Sequence, residues 1–283
     1  MHITALIVAL ASLISQPLQG NWQSGQEDSA ECHTTVGLSY TTDKGILYSD
    51  KDKYARKRCR LDIYHPVQKG KYPVVVWFHG GGLTQGERFV PQELEEQGLV
   101  VVAAGYRLMP KCRIEDCIDD AAAAVSWTIR NIEAYGGDPD KIFVAGHSAG
   151  GYLTEMIGLD KSWLGAYGVD ANSLAGLFPF SGQAITHFAL REREGMSPLQ
   201  PLIDRFAPLY HVRPDAPPII LITGDRENEL YGRYEENAYL WRMLKLTGHN
   251  EVYLYELPGY DHGGMASPAH AIMLDHIRRI TQE

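Results

Sequence analysis

The sequence predicts an α/β fold, in which a mostly parallel central sheet of about eight strands is covered by helices on both faces. Strand-like and helix-like segments alternate along the chain, which is typical of parallel sheets with helical crossovers. Several predicted strands are nearly continuous apolar runs, as buried central strands are. Glycine-rich turns with polar side chains follow some of them, and ligands of such sheets bind beyond the carboxyl ends of the strands.

Eight segments rich in apolar and β-branched residues are predicted to be strands. The first two, TVGLSYTT and KRCRLDIYH, are expected to be antiparallel. YPVVVWF and LVVVAAGYR have the composition of strands that are buried on both faces. The predicted strands span residues 35–42, 57–65, 72–78, 99–107, 141–146, 174–180, 217–224 and 251–257.

Four helices are predicted between and after these strands. The longest, 114–137, has acidic residues near its start, where the helix dipole favours them, and glycines at its end. The segment SAGGYLTEMIGL, residues 148–159, directly follows the strand KIFVAG. The remaining two predicted helices span residues 236–248 and 268–280.

The composition is that of a globular domain and excludes several classes of function. The chain has 283 residues, 45% hydrophobic and 22% charged, so a single α/β domain can bury a sizeable core. Its formal net charge of −9 provides no basic field to attract nucleic acid or an anionic membrane. The first βα turn lacks G-x-G-x-x-G, no Walker lysine is present, and no C-x-x-C or histidine cluster has zinc spacing. We therefore expect neither a cofactor nor a metal, and the sequence carries no indication of oligomeric state.

The first 20 residues differ from the rest of the chain. They contain ALIVALASLI, an apolar stretch of the size of a signal-peptide core and too short to span a bilayer. We interpret residues 1–20 as a signal peptide and expect an exported protein, periplasmic or extracellular, with a single domain over 30–283. The alternative is a buried N-terminal strand or helix. No other apolar run is long enough to span a membrane.

Four cysteines suit an oxidising compartment. Cys112 and Cys117 lie close together in CRIEDC and could close a small loop, which would leave Cys32 and Cys59 as the second pair. Free buried thiols are the alternative.

Residues 146–150, Gly-His-Ser-Ala-Gly, match the pattern G-x-S-x-G between a predicted strand and a predicted helix. Such a sharp turn strains the backbone of the serine and brings neighbouring segments of the chain close. The flanking positions therefore need glycine or another residue with a very small side chain. It also places Ser148 and the next amide at a helix N-terminus, which favours a developing oxyanion. We therefore predict that Ser148 is a nucleophile; the alternative is an ordinary glycine-serine turn.

His79-Gly80-Gly81-Gly82 directly follows the predicted strand YPVVVWF. Three glycines contribute little packing, but they allow main-chain N–H groups to approach a substrate oxygen. We predict that the amides of Gly81 or Gly82, together with that of Ala149, form an oxyanion hole. The alternative is a plain glycine-rich turn.

A serine nucleophile needs a general base and a group that orients it. His262 lies in GYDHGGM, after the last predicted strand and before the last predicted helix, and is the predicted base. The acid is expected after the strand PPIILITG, where Asp225, Glu227 and Glu229 are candidates. The resulting chain order is serine, acid, histidine.

Together these segments resemble the α/β-hydrolase fold, most closely the esterases of the hormone-sensitive-lipase-like and feruloyl or acetylxylan esterase branches. The resemblance covers about residues 57–282 and rests on WFHGGG, GYRLMP, DHGG and the long segment 119–153 that contains the serine turn. In related hydrolases the acid often lies three residues after the strand-end glycine. The resemblance therefore implies Glu227, with Asp225 as the alternative, and leaves Glu229 as a solvated surface charge. His147 departs from the family pattern, which usually has an aspartate before the serine.

The resemblance implies a serine carboxylesterase that acts on a small acyl ester, of the acetyl or feruloyl type, on a small molecule or a plant polysaccharide. A cap-like segment around 184–212 is expected to contribute to the pocket wall. One alternative is an amide-cleaving relative such as kynurenine formamidase. Another is a non-catalytic binding protein with a hydrolase fold, which is disfavoured because Ser148, His262 and candidate acids are all present.

Overall fold

The computed structural model describes residues 37–282, which form an eight-stranded sheet with helices packed against it. The strand order across the sheet is β1-β2-β4-β3-β5-β6-β7-β8. β1 pairs antiparallel with β2, and β2 with β4, whereas every other neighbouring pair is parallel. The α/β class and the sheet of about eight strands are therefore confirmed. The strands are β1 Tyr40–Leu47, β2 Arg60–Pro66, β3 Tyr72–Phe78, β4 Val100–Ala104, β5 Gly137–His147, β6 Gly176–Phe180, β7 Ile219–Gly224 and β8 Val252–Leu257.

The described helices alternate with these strands along most of the chain. The predicted helix 114–137 is α-helical only to Asn131 and ends in a 3₁₀ turn, because Gly136 adopts a left-handed conformation with φ of 77°. The helices are α1 Lys53–Arg58, α2 Ile114–Asn131, α3 Ala149–Leu159, α4 Lys161–Gly165, α5 Phe188–Arg193, α6 Arg233–Leu246 and α7 Ala266–Gln282.

The edge of the sheet differs most from the sequence-based prediction. β1 begins at Tyr40 and continues to Leu47, beyond the predicted end at residue 42. Its second half includes a register shift at Gly45, whose N–H donates to Asp62 Oδ1 at 2.7 Å. The backbone N–H and C=O groups of these polar edge residues form hydrogen bonds with β2. A pattern of apolar residues does not reveal this pairing.

The hydrophobic core forms two layers, one on each face of the sheet. Val74, Val76 and Phe78 of β3 pack in the layer that contains buried residues of α2, α3 and α6. Val75 and Trp77 of the same strand pack in the other layer, with α7. Successive side chains of a strand point to opposite faces, so a continuous apolar run serves both layers.

Two predictions fall partly or wholly outside the described residues. The signal peptide at 1–20 and Cys32 both lie there, so neither export nor the Cys32–Cys59 pairing is described. Within the described chain Cys59, Cys112 and Cys117 are free thiols, and the sulfurs of Cys112 and Cys117 lie 3.6 Å apart. None of the helices within residues 37–282 combines the length and the apolar character that a membrane span needs.

Candidate active site

The turn between β5 and α3 holds Ser148 in an uncommon backbone conformation. Its φ of 56° and ψ of −113° lie outside the regions that non-glycine residues usually adopt. A Cβ at Gly150 would lie 2.0 Å from the carbonyl oxygen of Phe78, and one at Gly146 would lie 2.5 Å from the Gly150 carbonyl carbon. The turn therefore packs directly against the end of β3, and only glycine fits at these two positions. The Ser148 N–H donates to the Phe180 carbonyl at 2.8 Å, which fixes the turn to the end of β6 as well.

The imidazole of His262 lies beside this turn. His147 Nε2 is 2.7 Å from the carbonyl oxygen of His262, and the two rings are 4.7 Å apart between centroids. The contact ties the loop after β8 to the residue that precedes Ser148. The predicted base and the predicted nucleophile therefore come from loops that meet at the same edge of the sheet.

The acid that contacts His262 is Glu229, and the prediction of Glu227 for this position is wrong. His262 Nδ1 lies 2.5 Å from Glu229 Oε1, and the Glu229 side chain is only 1% exposed. Glu227 is exposed to solvent. Asp225, the alternative, instead accepts from the N–H groups of Glu227 at 2.9 Å and Gly259 at 2.6 Å.

The reason is the turn that follows β7. The N–H groups of Asn228 and Glu229 both donate to the Asp225 carbonyl, at 2.9 and 2.8 Å, so the chain folds back after five residues. The Gly224 N–H then reaches Glu229 Oε2 at 3.1 Å. Spacing from the strand end does not reveal this turn; the Asp225 side chain, which favours turns, was the available signal.

The electrostatic setting of Glu229 favours its charged form. Burial raises the pKa of this carboxyl group, but the hydrogen bond and charge interaction with His262 outweigh it and lower the pKa to about 2. The N–H of Leu230 at 2.8 Å and the Ser181 hydroxyl at 2.8 Å lower it further. Glu229 is therefore an anion at neutral pH and can stabilise a proton on His262.

The glycines after β3 lie next to the serine turn. A Cβ at Gly80 would lie 3.4 Å from the Ser148 Cβ, and Gly81 and Gly82 adopt left-handed conformations with φ of 110° and 61°. Ala149 is the first residue of α3, so its N–H has no partner within the helix. Gly80 therefore contacts the serine turn, and Gly81 and Gly82, which with Ala149 are the predicted oxyanion donors, follow it directly in the chain.

Buried His79 anchors this glycine loop. Its ring stacks on Tyr106 with 4.4 Å between centroids, and the Tyr106 hydroxyl donates to the His79 carbonyl at 2.7 Å. Burial lowers the pKa of His79 to about 4. The neutral ring donates from Nδ1 to the Gly80 carbonyl at 2.7 Å, so this histidine acts as a fixed support.

A cavity of about 230 Å³ is lined by residues from the loop after β7 and by residues from the segment 184–212. Phe188 contributes an aromatic wall and reaches the glycine loop, since a Cβ at Gly82 would lie 2.9 Å from its ring. Arg191 of the same segment is buried and donates to the backbone carbonyls of Thr186 and Pro198. The lining residues are Gln183, Phe188, Glu192, Pro198, Leu230, Tyr231 and Arg233.

Comparison with known proteins places these features in context. The BD-FAE family model matches residues 61–172. A probable carboxylic ester hydrolase, LipM of Mycobacterium tuberculosis, is 28% identical over 82% of this chain and 59% of its own length. A probable isoprenylcysteine alpha-carbonyl methylesterase, ICMEL1 of Arabidopsis thaliana, is 35% identical over 39% of this chain and 23% of its own length. The chain thus spans less than two thirds of the length of these two relatives.

Solved structures show the same architecture. A truncated form of a carbohydrate esterase from gut microbiota superposes with a TM-score of 0.71 at 18% identity, covering 89% of this chain and 99% of that one. At this identity the likeness establishes the fold. The chain is therefore an α/β-hydrolase by fold, related in sequence to carboxylesterases.

Proposed function

We propose that this protein is a serine carboxylic-ester hydrolase in which Ser148 is the nucleophile, His262 the general base and Glu229 the acid that orients it. The observation that carries the proposal is the 2.5 Å contact between His262 Nδ1 and buried Glu229, next to the strained Ser148 turn. Relatives named as ester hydrolases support the same reaction class.

The proposed reaction has two steps. With the Nδ1 proton held by Glu229, His262 Nε2 accepts the proton of the Ser148 hydroxyl as the oxygen attacks the acyl carbonyl. The amides of Gly81, Gly82 and Ala149 stabilise the resulting oxyanion. His262 then protonates the leaving alcohol, and a water molecule that it activates releases the acid from the acyl-serine.

We further propose a small acyl group, of the acetyl or feruloyl type, on a small molecule or a plant polysaccharide. The Phe188 ring, which lies against Gly82 of the glycine loop and lines the cavity of about 230 Å³, supports a short acyl chain or a single ring. Similarity to a carbohydrate esterase supports an alcohol part derived from a sugar. Export is proposed on the apolar stretch within residues 1–20 and is tested by N-terminal sequencing of the secreted protein.

The first experiment is hydrolysis of p-nitrophenyl acetate by the wild type and by Ser148→Ala. We expect the variant to lose at least about 10⁴-fold in kcat, because the nucleophile is removed. Ser126→Ala, which removes a buried hydroxyl on α2, is the matched control and should retain activity. Equal activity of the wild type and Ser148→Ala would rule out the proposed nucleophile.

A substrate panel then separates the candidate reactions. Acetylated xylan, feruloyl esters and an N-formyl amide are compared at equal enzyme concentration. Ester turnover without amide turnover is the expected result. Preferential cleavage of the amide would move the assignment to the amide-cleaving alternative.

A further inference from the structure

Ser181 follows β6 directly and adopts a conformation that suits glycine better than serine. Its φ is 47°, and the residue is completely buried. Its N–H donates to the Ile222 carbonyl at 2.7 Å, and its carbonyl accepts from the buried Arg233 guanidinium. The backbone is thus held on both sides in a left-handed conformation that L-residues seldom adopt. Strain of this kind persists where the surrounding structure holds the residue in place, and such residues cluster at functional sites.

The side chain of Ser181 lies between the acid and the base. Its Oγ is 2.8 Å from Glu229 Oε2 and 3.0 Å from His262 Nδ1. A hydroxyl has one proton to donate and lone pairs that accept. Because ionised Glu229 only accepts, the hydroxyl proton goes to Oε2, and the Oγ lone pair then faces the Nδ1 proton of His262.

The three side chains therefore form a closed ring of hydrogen bonds. The Nδ1 proton of His262 is shared between Glu229 Oε1 and Ser181 Oγ, at 2.5 and 3.0 Å. Ser181 in turn restrains the second oxygen of the carboxylate. This arrangement permits only the tautomer that carries its proton on Nδ1, which leaves Nε2 free to act as a base.

We propose that Ser181 is a positioning residue that fixes both the tautomer of His262 and the orientation of the Glu229 carboxylate. The proposal rests on the function proposed above. It assigns a role to a residue outside the three that carry the reaction. Sequence reasoning did not single out Ser181, because PFSGQ resembles an ordinary turn after a strand.

The test is Ser181→Gly, which removes the hydroxyl while placing the residue best suited to φ of 47°. We expect kcat to fall by about 10- to 100-fold, the range of one lost hydrogen bond to a charged group, with KM within about twofold. The melting temperature should not fall, because the backbone strain is relieved. Glu96→Gly is the control for the effect on melting temperature of placing glycine at a positive φ, since Glu96 is an exposed residue with φ of 58°.

A spectroscopic readout tests the same role without turnover. The Nδ1 proton of His262 should give a low-field proton resonance in the wild type that is broadened or shifted in Ser181→Gly and unchanged in Ser126→Ala. Unchanged kcat together with an unchanged resonance would overturn the proposal. If Ser181→Gly lowers the melting temperature, Ser181→Ala is measured at a temperature where it is folded, and the same two outcomes apply.

The failure of this proposal differs from failure of the proposed function. An inactive wild type would argue against ester hydrolysis, yet the resonance of His262 would still report whether Ser181 holds its ring. If the wild type is active and Ser181→Gly changes neither kcat nor the His262 resonance, the proposed function stands and Ser181 has no positioning role.

Discussion

The Glu229 carboxylate is the most completely restrained side chain of the site. Its two oxygens accept from His262, Ser181 and the N–H groups of Gly224 and Leu230, at distances of 2.5 to 3.1 Å. These donors hold the carboxylate ready before any charge develops on the imidazole. A preorganised acceptor of this kind stabilises the imidazolium without rearrangement during the reaction.

Replacing this acid should therefore affect chemistry more than binding. Glu229→Gln is expected to lower kcat by about 10³- to 10⁴-fold, because an amide cannot stabilise the imidazolium and allows the wrong tautomer. Glu227→Gln, two residues away and exposed, should stay within about twofold of wild type, as expected for an exposed residue away from the reaction. Steady-state kinetics on p-nitrophenyl acetate distinguish the two variants. The reverse ranking would restore Glu227 as the acid.

At the scale of elements, the site is assembled from the carboxyl ends of β3, β5, β6, β7 and β8. These strands are parallel neighbours, so their following loops meet at one edge of the sheet. The contact between the serine turn and the end of β3 sets how close the glycine loop comes to Ser148. Gly150 permits that close approach, because a Cβ at this position would lie 2.0 Å from the carbonyl oxygen of Phe78.

A methyl group at position 150 should push the serine turn away from the end of β3. Gly150→Ala is expected to lower the free energy of unfolding by about 2–3 kcal/mol, as overpacking of a tight contact does. Gly165→Ala is the matched control, because nothing lies within 4 Å of a Cβ there; it should leave stability unchanged or raise it by about 0.5 kcal/mol. Urea unfolding measures both. Equal stabilities of the two variants would contradict this account of the turn.

For the molecule as a whole, the core accommodates a few ionisable groups as well as apolar ones. Glu155 of α3 is 1% exposed, and neither carboxyl oxygen has a hydrogen-bond partner among the described residues. Burial raises its pKa well above the ordinary value, despite the nearby positive charge of Arg233. In the folded protein the group is therefore held in its neutral form over a range of pH in which the unfolded chain is ionised.

This difference makes global stability depend on pH in a defined direction. A raised folded-state pKa contributes stability that is fully present below the ordinary carboxyl value of about 4.5 and is lost as pH rises towards the folded-state value. Relative to Glu155→Gln, which cannot titrate, the wild type should lose up to about 1.4 kcal/mol per pH unit above pH 4.5. Urea unfolding at several pH values measures the difference, and parallel curves for the two proteins would contradict it.

The amino-acid sequence by itself was sufficient to predict the α/β fold, the approximate strands and the placement of Ser148, His262 and the three-glycine loop after strands. These features depend on local requirements. A strand buried on both faces needs a continuous apolar run, and a tight turn against a neighbouring strand needs glycine. Both requirements are visible in a single short segment.

Only the tertiary structure decided which carboxylate contacts His262. It also decided that Ser181 lies between that carboxylate and the imidazole. Three acids within five residues have similar local surroundings in the sequence. Which of them contacts His262 depends on how the turn after β7 folds back against the loop after β8. Ser181 is separated from Glu229 by 48 residues and from His262 by 81. Contacts of this kind arise only when separate strand ends meet, so no local pattern of residues specifies them.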